Sequence, residues 1–198
     1  MSSTSVSGVL LAAGAGRRYD PSGARLKLLE PAPGGLHRGV PIAVSALRNL
    51  RAVVAEAIAV VRPADSDAQR RLHRLLAAEG AELVICDDAE AGMGHSLACG
   101  VRARREAAGW VIALADMPEV SPATIRAVRD AIARGRDTAA PVHRNRRGHP
   151  VGFGRACRDE LLALVGDAGA RSVLAAHPPM LIDVDDPGCL LDIDTPAG

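Results

Sequence analysis

Near its start the chain carries an apolar run that ends in two glycines and two arginines, with the sequence GVLLAAGAGRR over residues 8–18. A glycine turn after a buried strand brings backbone N–H groups close to a phosphate, because glycine has no Cβ to hold the ligand away. Arg17, Arg18 and the later Lys27 place positive charge beside this turn. The pattern predicts a site for a nucleotide with several phosphates. The alternative is a tight strand-to-helix turn that binds nothing.

Two other phosphate-binding patterns do not match this segment. A Walker loop needs Gly-x-x-x-x-Gly-Lys-Ser/Thr, which is absent. A dinucleotide fingerprint needs a third glycine where Tyr19 stands, and an acidic residue after the next strand, where the sequence reads Val60-Val61-Arg62-Pro63. The segment therefore favours a nucleoside triphosphate over a dinucleotide.

Length and composition restrict the class of protein. A chain of 198 residues predicts one domain, residues 1–198. Lys plus Arg total 24 and Asp plus Glu total 23, which argues against a nucleic-acid or membrane partner, and 2% aromatic residues argue against base stacking. The four cysteines form no Cys-x-x-Cys pair, and the N-terminus shows no signal-peptide pattern. We expect a cytoplasmic protein with reduced thiols.

Short apolar runs alternate with amphipathic stretches along the chain. In the first two thirds we predict strands at 6–12, 57–61, 81–86 and 110–115, and helices at 40–50, 65–78, 94–105 and 121–134. In the last third we predict strands at 138–142, 151–153, 181–184 and 190–193, and helices at 155–165 and 171–176. This order is typical of an α/β fold, a mostly parallel sheet between two helical layers.

Aspartates stand where metal ligands are expected in such a fold. Asp116 ends a predicted strand, and ligands bind outside the carboxyl ends of parallel strands. A carboxylate there suits a hard divalent cation, although an Asp that only caps a turn fits the pattern too. Asp192 and Asp194 alternate along an extended run, so both carboxylates point to one side. Either the pair provides a second metal ligand, or both carboxylates are exposed to solvent at an edge of the fold.

Three loops carry polar groups. The segment Gly92-Met93-Gly94-His95-Ser96 opens a predicted helix, where unpaired N–H groups and a hydroxyl suit a nucleobase or a sugar. Gly148-His149-Pro150 and the segment 166–171 (GDAGAR) are the other two. The first segment fits a simple capping turn equally well, and the other two, taken alone, are more often structural than functional.

Seven motifs occur in order along nearly the whole chain: LAAGAGRR, KLL, GMGHSLACG, LADMP, RRGHPVGF, GDAGAR and DIDTP. Together they resemble the molybdenum-cofactor nucleotidyltransferase family, and its cytidylyltransferase branch in particular. The resemblance implies a three-layer αβα Rossmann-like nucleotidyltransferase fold with a mostly parallel mixed sheet. It also implies Mg²⁺-dependent transfer of a nucleoside monophosphate, CMP from CTP in this branch, to molybdopterin with release of pyrophosphate. A molybdenum hydroxylase apoenzyme is the implied recipient of the product.

The resemblance also implies roles for individual residues. Arg18, Lys27 and Asp116 match the catalytic positions, and Asp116 with Asp194 matches the metal ligands. The nucleotide-binding positions fall on Leu11, Ala12, Ala13, Gly14, Ala15, Gly16, Arg18, Lys27, Gly92, Met93 and Ser96. The acceptor-binding positions fall on Gly148, His149, Pro150, Asp167 and Arg171. The sequence departs from the family at Asp20, where glycine is usual, and in a longer interval between Arg18 and Lys27.

Two other classes of function remain open. A nicotinamide-dependent oxidoreductase rests on the Gly-x-Gly turn, and a non-catalytic chaperone would bind the cofactor and deliver it to a molybdenum hydroxylase. A bound dinucleotide would favour the first, and nucleotide binding without pyrophosphate release would favour the second. The choice of CTP over another nucleoside triphosphate rests on Ala13, which resembles the cytidylyl branch.

Overall fold

An eight-stranded sheet forms the centre of the molecule. The structure, a computed structural model, describes residues 5–14, 19 and 25–194. Within these ranges the strands are β1 (Val6–Leu11), β2 (Ala57–Val61), β3 (Glu82–Ile85), β4 (Gly109–Leu114), β5 (Thr138–His143), β6 (Arg146–Arg147), β7 (Val151–Gly154) and β8 (Met180–Asp183). The helices are α1 (Ile42–Arg51), α2 (Asp67–Ala78), α3 (Met93–Ala103), α4 (Pro122–Ala133), α5 (Arg158–Leu162) and α6 (Arg171–Ala176).

The sheet is mixed but mostly parallel. Its order is β3-β2-β1-β4-β7-β5, and β3, β2, β1 and β4 pair in parallel. β7 is antiparallel to both β4 and β5, so β5 again runs in the direction of β1. Ala139 of β5 pairs with Gly152 of β7 on one side and with Met180 of β8 on the other, and β8 is parallel to β5. Only β6 and β7 therefore run against the direction of the other described strands.

Alternation along the buried strands divides the core into two halves. In β1, Leu10 belongs to the apolar cluster that includes α1, α2 and α4, whereas Val9 belongs to the cluster that includes α3, α5 and α6. Successive side chains of a strand point to opposite faces of a sheet, so helices cover both faces. This confirms the predicted three-layer α/β architecture.

The predicted helix starts follow from their capping residues. Ser66 precedes α2 and accepts a hydrogen bond from the Gln69 N–H, and Ser121 precedes α4 and accepts one from Thr124. Pro122 occupies the first turn of α4, where its missing N–H costs no hydrogen bond. None of the helices in the described part of the chain is long and apolar enough to cross a bilayer.

In the last third of the chain, the structure differs from the prediction at two elements. The stretch 155–165 contains a 3-10 turn and the five-residue helix α5 instead of one continuous helix. The predicted strand 190–193 is wrong: a 3-10 turn covers Pro187–Leu190, and the residues after it join no strand. The turn begins at Asp186, whose carboxylate accepts from the Gly188 N–H, and it takes up Leu190. Beyond the turn, Ile193 donates its N–H to the Asp116 carbonyl, but the described residues 191–194 form no ladder with a strand.

Candidate active site

A cleft of about 640 Å³ opens at the carboxyl ends of β1, β2 and β4. In an open α/β sheet this rim is where ligands bind. The cleft is lined by Leu11, Ala13, Gly14, Tyr19, Leu26, Lys27, Leu28, Arg62, Ala89, Glu90, Gly92, Met93, Ser96, Leu114, Asp116, Asp167 and Asp194. The structure thus brings together residues from five of the seven motifs, from LAAG near the start to Asp194 near the end. Asp167 adds a sixth motif.

Lys27 lies at one end of the cleft between two carboxylates. Its Nζ is 2.9 Å from Oδ2 of Asp116 and 3.3 Å from Oδ1 of Asp194, and its side chain is only 9% exposed. A 3-10 turn over Lys27–Leu29 fixes the backbone, with the Glu30 N–H donating to the Lys27 carbonyl. Two opposite charges compensate the buried ammonium, as burial of a charge requires.

Asp194 reaches this site through a backbone contact. The Ile193 N–H donates to the Asp116 carbonyl at 3.0 Å, so the extended C-terminal stretch lies against the end of β4. Asp194 follows directly and lines the cleft, whereas Asp192 is exposed and does not. Of the two aspartates weighed from the sequence, the structure places Asp194 beside Asp116.

The pair Asp116 and Asp194 fits a divalent ion. Mg²⁺ binds through one or two carboxylates and completes its shell with water and substrate phosphates. No group of three or more His, Cys, Asp or Glu side chains that could hold a metal occurs in residues 5–14, 19 and 25–194. The two carboxylates therefore suit an ion that shares its shell with a phosphate substrate, rather than a fully enclosed metal site.

The other side of the cleft is formed by the start of α3. Gly92 has φ +127°, and a Cβ there would lie 2.3 Å from the backbone carbon of Gly166 and 2.6 Å from Asp167 Oδ1. The Gly94 N–H donates to the Gly166 carbonyl, and the Gly166 N–H donates to Nδ1 of His95. The motif GMGHS thus packs directly on the loop that carries Asp167.

Asp167 therefore lines the cleft with Gly92, Met93 and Ser96. The sequence groups it with Arg171 as an acceptor residue. Arg171 is exposed at the first residue of α6 and is not among the described residues that line the cleft. The two members of the GDAGAR motif are thus placed in different surroundings.

Arg62 and Glu90 line the cleft as well, although no motif of the sequence predicts a role for them. Arg62 follows β2, its side chain is 16% exposed, and it forms an ion pair with Glu90. Its carbonyl is bonded to Nε2 of His73, which fixes the backbone at the strand end. The position of Arg62 in the sequence indicates a place in the cleft, because Arg62 directly follows the carboxyl end of a parallel strand.

The segment Gly148-His149-Pro150 lies near the end of β4, where His149 and Pro150 line a small cavity with Leu114. A Cβ on Gly148 would lie 2.3 Å from the Cys189 carbonyl oxygen, so this turn requires glycine. Nδ1 of His149 is inaccessible and has no hydrogen-bond partner among the described residues. Burial lowers the pKa of His149 against the opposing effect of the nearby Asp116 carboxylate, so its imidazole is held neutral.

A reactive thiol is not part of this arrangement. Cys86, which contacts Ser96 and Cys99, is buried, and burial raises its pKa to about 11. The thiol is therefore protonated at neutral pH and is a poor nucleophile.

The predicted residues Ala15, Gly16 and Arg18, together with Arg17 and Asp20, lie outside the described residues; their roles stay predictions.

The chain matches a known protein family over most of its length. Residues 8–180 match the family described as MobA-like NTP transferase domain. The chain is 31% identical over 199 residues to nicotine blue oxidoreductase of Paenarthrobacter nicotinovorans, covering 96% of this chain and 92% of that protein. It is 35% identical over 120 residues to the purine catabolism protein PucB of Bacillus subtilis, covering 58% of this chain and 57% of that protein.

Solved structures show the same fold. The Rv0371c protein of Mycobacterium tuberculosis H37Rv is 30% identical, with a TM-score of 0.79 and coverage of 98% of this chain and 95% of that chain. A manganese complex of Rv0371c is matched with 25% identity, a TM-score of 0.70 and coverage of 98% and 91%. With a family match over most of its length, the chain belongs to the MobA-like NTP transferase domain family and is a nucleotidyltransferase.

Proposed function

We propose that this protein transfers CMP from CTP to molybdopterin and releases pyrophosphate, with Mg²⁺ as cofactor. The observation that carries the proposal is the composition of one cleft. Lys27, Asp116 and Asp194 supply charge at one end, and the glycine-rich start of α3 with Ser96 supplies hydrogen-bonding groups at the other. A nucleoside triphosphate has the same division into an anionic and a polar neutral part.

Catalysis in this proposal needs no protein nucleophile. The acceptor phosphate attacks the α-phosphorus in line, the bond to the β-phosphate breaks, and pyrophosphate leaves. The chain's contribution is to orient the two phosphates and to compensate charge. The leaving β- and γ-phosphates would be held by the backbone at the end of β1 and just after it, from Leu11 through Ala12 and Ala13 to Gly14, together with Ala15, Gly16, Arg18 and Lys27.

Asp116 and Asp194 would hold the divalent ion in this cleft. When bound, such an ion neutralises charge on the reacting phosphate oxygens. The manganese complex of Rv0371c supports a divalent ion in a relative, and the choice of Mg²⁺ is part of the proposal.

The acceptor would approach from the side of Gly148, His149 and Pro150. His149 lies near Asp116, and its neutral imidazole can accept or donate a hydrogen bond without adding charge. Arg171 would supply a bidentate donor to an anionic group of the acceptor. The product would pass to a molybdenum hydroxylase apoenzyme, and we propose that this takes place in the cytoplasm.

A pyrophosphate-release screen tests the proposal. The purified protein is mixed with each of the four nucleoside triphosphates, Mg²⁺ and molybdopterin, and phosphate-bearing compounds without a pterin serve as controls. We expect release with CTP and molybdopterin together. Release with another triphosphate would correct the base preference, and release with another acceptor would correct the acceptor. No release with any combination, with nucleotide still bound, would favour a non-catalytic chaperone.

One observation favours a second candidate. The similarity to nicotine blue oxidoreductase extends over nearly the whole chain, and an oxidoreductase would use a nicotinamide dinucleotide in the same cleft. The missing third glycine at Tyr19 and the basic Arg62 after β2 argue against such a dinucleotide. Oxidation of NADH or NADPH by the purified protein with nicotine blue as acceptor, without pyrophosphate release in the screen above, would establish this alternative.

A further inference from the structure

We propose that Lys27 exchanges places with the divalent ion on Asp116 and Asp194, and that the released ammonium then serves the triphosphate. This inference rests on the proposed function, because it assigns a second position to a residue of the same cleft. It makes Lys27 a carboxylate partner and a phosphate partner in turn, rather than a fixed phosphate ligand.

The contacts of Lys27 carry the argument. Its Nζ is bonded to one oxygen of Asp116 and one of Asp194, at 2.9 Å and 3.3 Å. These carboxylates are the groups that would hold a divalent ion in the cleft. An ammonium and a divalent ion on the same oxygens would repel each other at close range. Binding of one therefore weakens binding of the other.

The local structure allows the ammonium to move while its backbone stays. Leu28 is 5% exposed and packs in the core, and the Leu29 N–H donates to the Leu26 carbonyl, so the turn that carries Lys27 is anchored. The lysine side chain has four flexible methylene groups and ends in a compact charge. Rotation about these bonds would move Nζ from the carboxylates into the cleft that it already lines.

Lys27 differs in type from the other long basic residues of the chain. Lys27 is the only lysine of the chain, in which all other long basic side chains are arginines. A guanidinium is planar and broad and prefers a bidentate carboxylate partner, whereas an ammonium is a point charge that can bridge two separate carboxylates. The requirement for a compact, mobile cation explains a lysine at this position.

Manganese binding in the absence of nucleotide tests the exchange. Lys27→Met removes the ammonium at similar length, and we expect it to bind Mn²⁺ about tenfold more tightly than the wild type, as measured by electron paramagnetic resonance. Lys27→Arg keeps a cation and should bind Mn²⁺ more weakly than Lys27→Met. Arg62→Met removes a positive charge from the same cleft without touching Asp116 or Asp194, and is the matched control. The exchange is wrong if Lys27→Met binds Mn²⁺ no more tightly than the wild type, or if Arg62→Met has the same effect.

A second measurement uses the unaltered chain, so it does not depend on how a variant folds. Tag-free protein labelled with ¹³Cε-lysine has one lysine signal, that of Lys27. We expect this signal to shift on addition of Mg²⁺. The midpoint of the shift should coincide with the midpoint of metal binding measured by calorimetry. A signal that stays in place at saturating Mg²⁺ overturns the exchange. If metal binds and pyrophosphate is released without these effects, only the exchange fails. If no divalent ion binds, the metal part of the proposed function fails with it.

Discussion

The backbone N–H of Ile193 donates a hydrogen bond to the carbonyl oxygen of Asp116, at 3.0 Å. This bond joins the C-terminal stretch to the end of β4 although that stretch belongs to no strand. It brings Asp194 to the same ammonium that contacts Asp116. Two carboxylates far apart in sequence thus meet through one main-chain contact, and the proposed metal site depends on it.

Asp116→Asn should lower pyrophosphate release by roughly 100-fold or more, because the charge that would hold a divalent ion is lost while the shape is kept. The measurement is pyrophosphate release at limiting Mg²⁺, with circular dichroism as the check on folding. Asp185→Asn is the control, because Asp185 is fully exposed and lies outside the cleft lining. Wild-type turnover in the Asp116 variant would show that this carboxylate is not a metal ligand.

Gly92→Ala should weaken CTP binding by about tenfold or more and lower the free energy of unfolding by about 1–3 kcal/mol. The added Cβ would be strained at φ +127° and would meet the Gly166 backbone, which displaces the wall of the cleft. Calorimetry and urea unfolding measure the two effects. Gly135→Ala is the matched control: Gly135 has φ +87°, and nothing lies within 4 Å of the new Cβ. It should lose stability but keep its CTP affinity, and an equal loss of affinity in both variants would contradict the prediction.

Asp167 and Arg171 should separate the two substrates. Asp167→Ala should weaken CTP binding by about tenfold or more, the value of one hydrogen bond to a charged group, because Asp167 lines the cleft beside Gly92. Arg171→Ala should raise the apparent KM for molybdopterin about tenfold and leave CTP affinity unchanged. Each variant is the control for the other. Loss of CTP affinity in the Arg171 variant, or its retention in the Asp167 variant, would reverse the assignment.

Much of this fold could be predicted from the sequence because local patterns determine it. The buried strands β2 and β4 are continuous apolar runs, and β1 is one apart from Ser7. The starts of α2 and α4 are marked by Ser66 and Ser121. The position of Asp116 at the rim follows from its place after a parallel strand. The extent of the single domain, residues 1–198, stays a prediction.

Contacts between distant segments could not be predicted in the same way. Of the strand expected at 190–193, Leu190 belongs to a turn that starts at Asp186, and Ile193 makes a single backbone contact with Asp116 instead of a ladder. Period-two alternation does not reveal either contact. The Arg62–Glu90 ion pair joins residues 28 positions apart. The placement of Asp167 depends on how Gly92 packs on the loop that contains Gly166. Such pairings are fixed by tertiary packing.

Asp186→Ala should lower the free energy of unfolding by about 3 kcal/mol, because three donors lose their partner. The carboxylate accepts from the Ser121 N–H at 2.9 Å, from Thr124 Oγ1 at 2.6 Å and from the Gly188 N–H at 3.1 Å, and it is 8% exposed. Urea unfolding measures the effect. Asp183→Ala, on the edge strand β8, is the control and should change stability little. Similar losses in both variants would show that the three hydrogen bonds of Asp186 add no more to the free energy of unfolding than an exposed aspartate does.

The stability of the protein should fall as the pH is lowered through the range below about 6.5, and His149 should contribute to this fall. Burial lowers the pKa of His149 from its ordinary value of 6.5, with Arg147 acting in the same direction and Asp116 and Asp192 opposing. Below pH 6.5 the unfolded chain therefore binds a proton at His149 that the folded chain does not, so the free energy of unfolding rises with pH in this window.

His149→Gln should flatten this part of the pH profile, measured by urea unfolding at several pH values between 5 and 8. His177 provides a control of opposite sign, since its hydrogen bond with Glu160 raises its pKa. The folded chain binds the His177 proton more tightly, so His177 adds stability that is fully present below pH 6.5 and is lost as the pH rises through its folded pKa. His177→Gln should therefore make the fall of stability toward acid steeper. A profile that His149→Gln leaves unchanged would show that the imidazole is accessible to protons in the folded state.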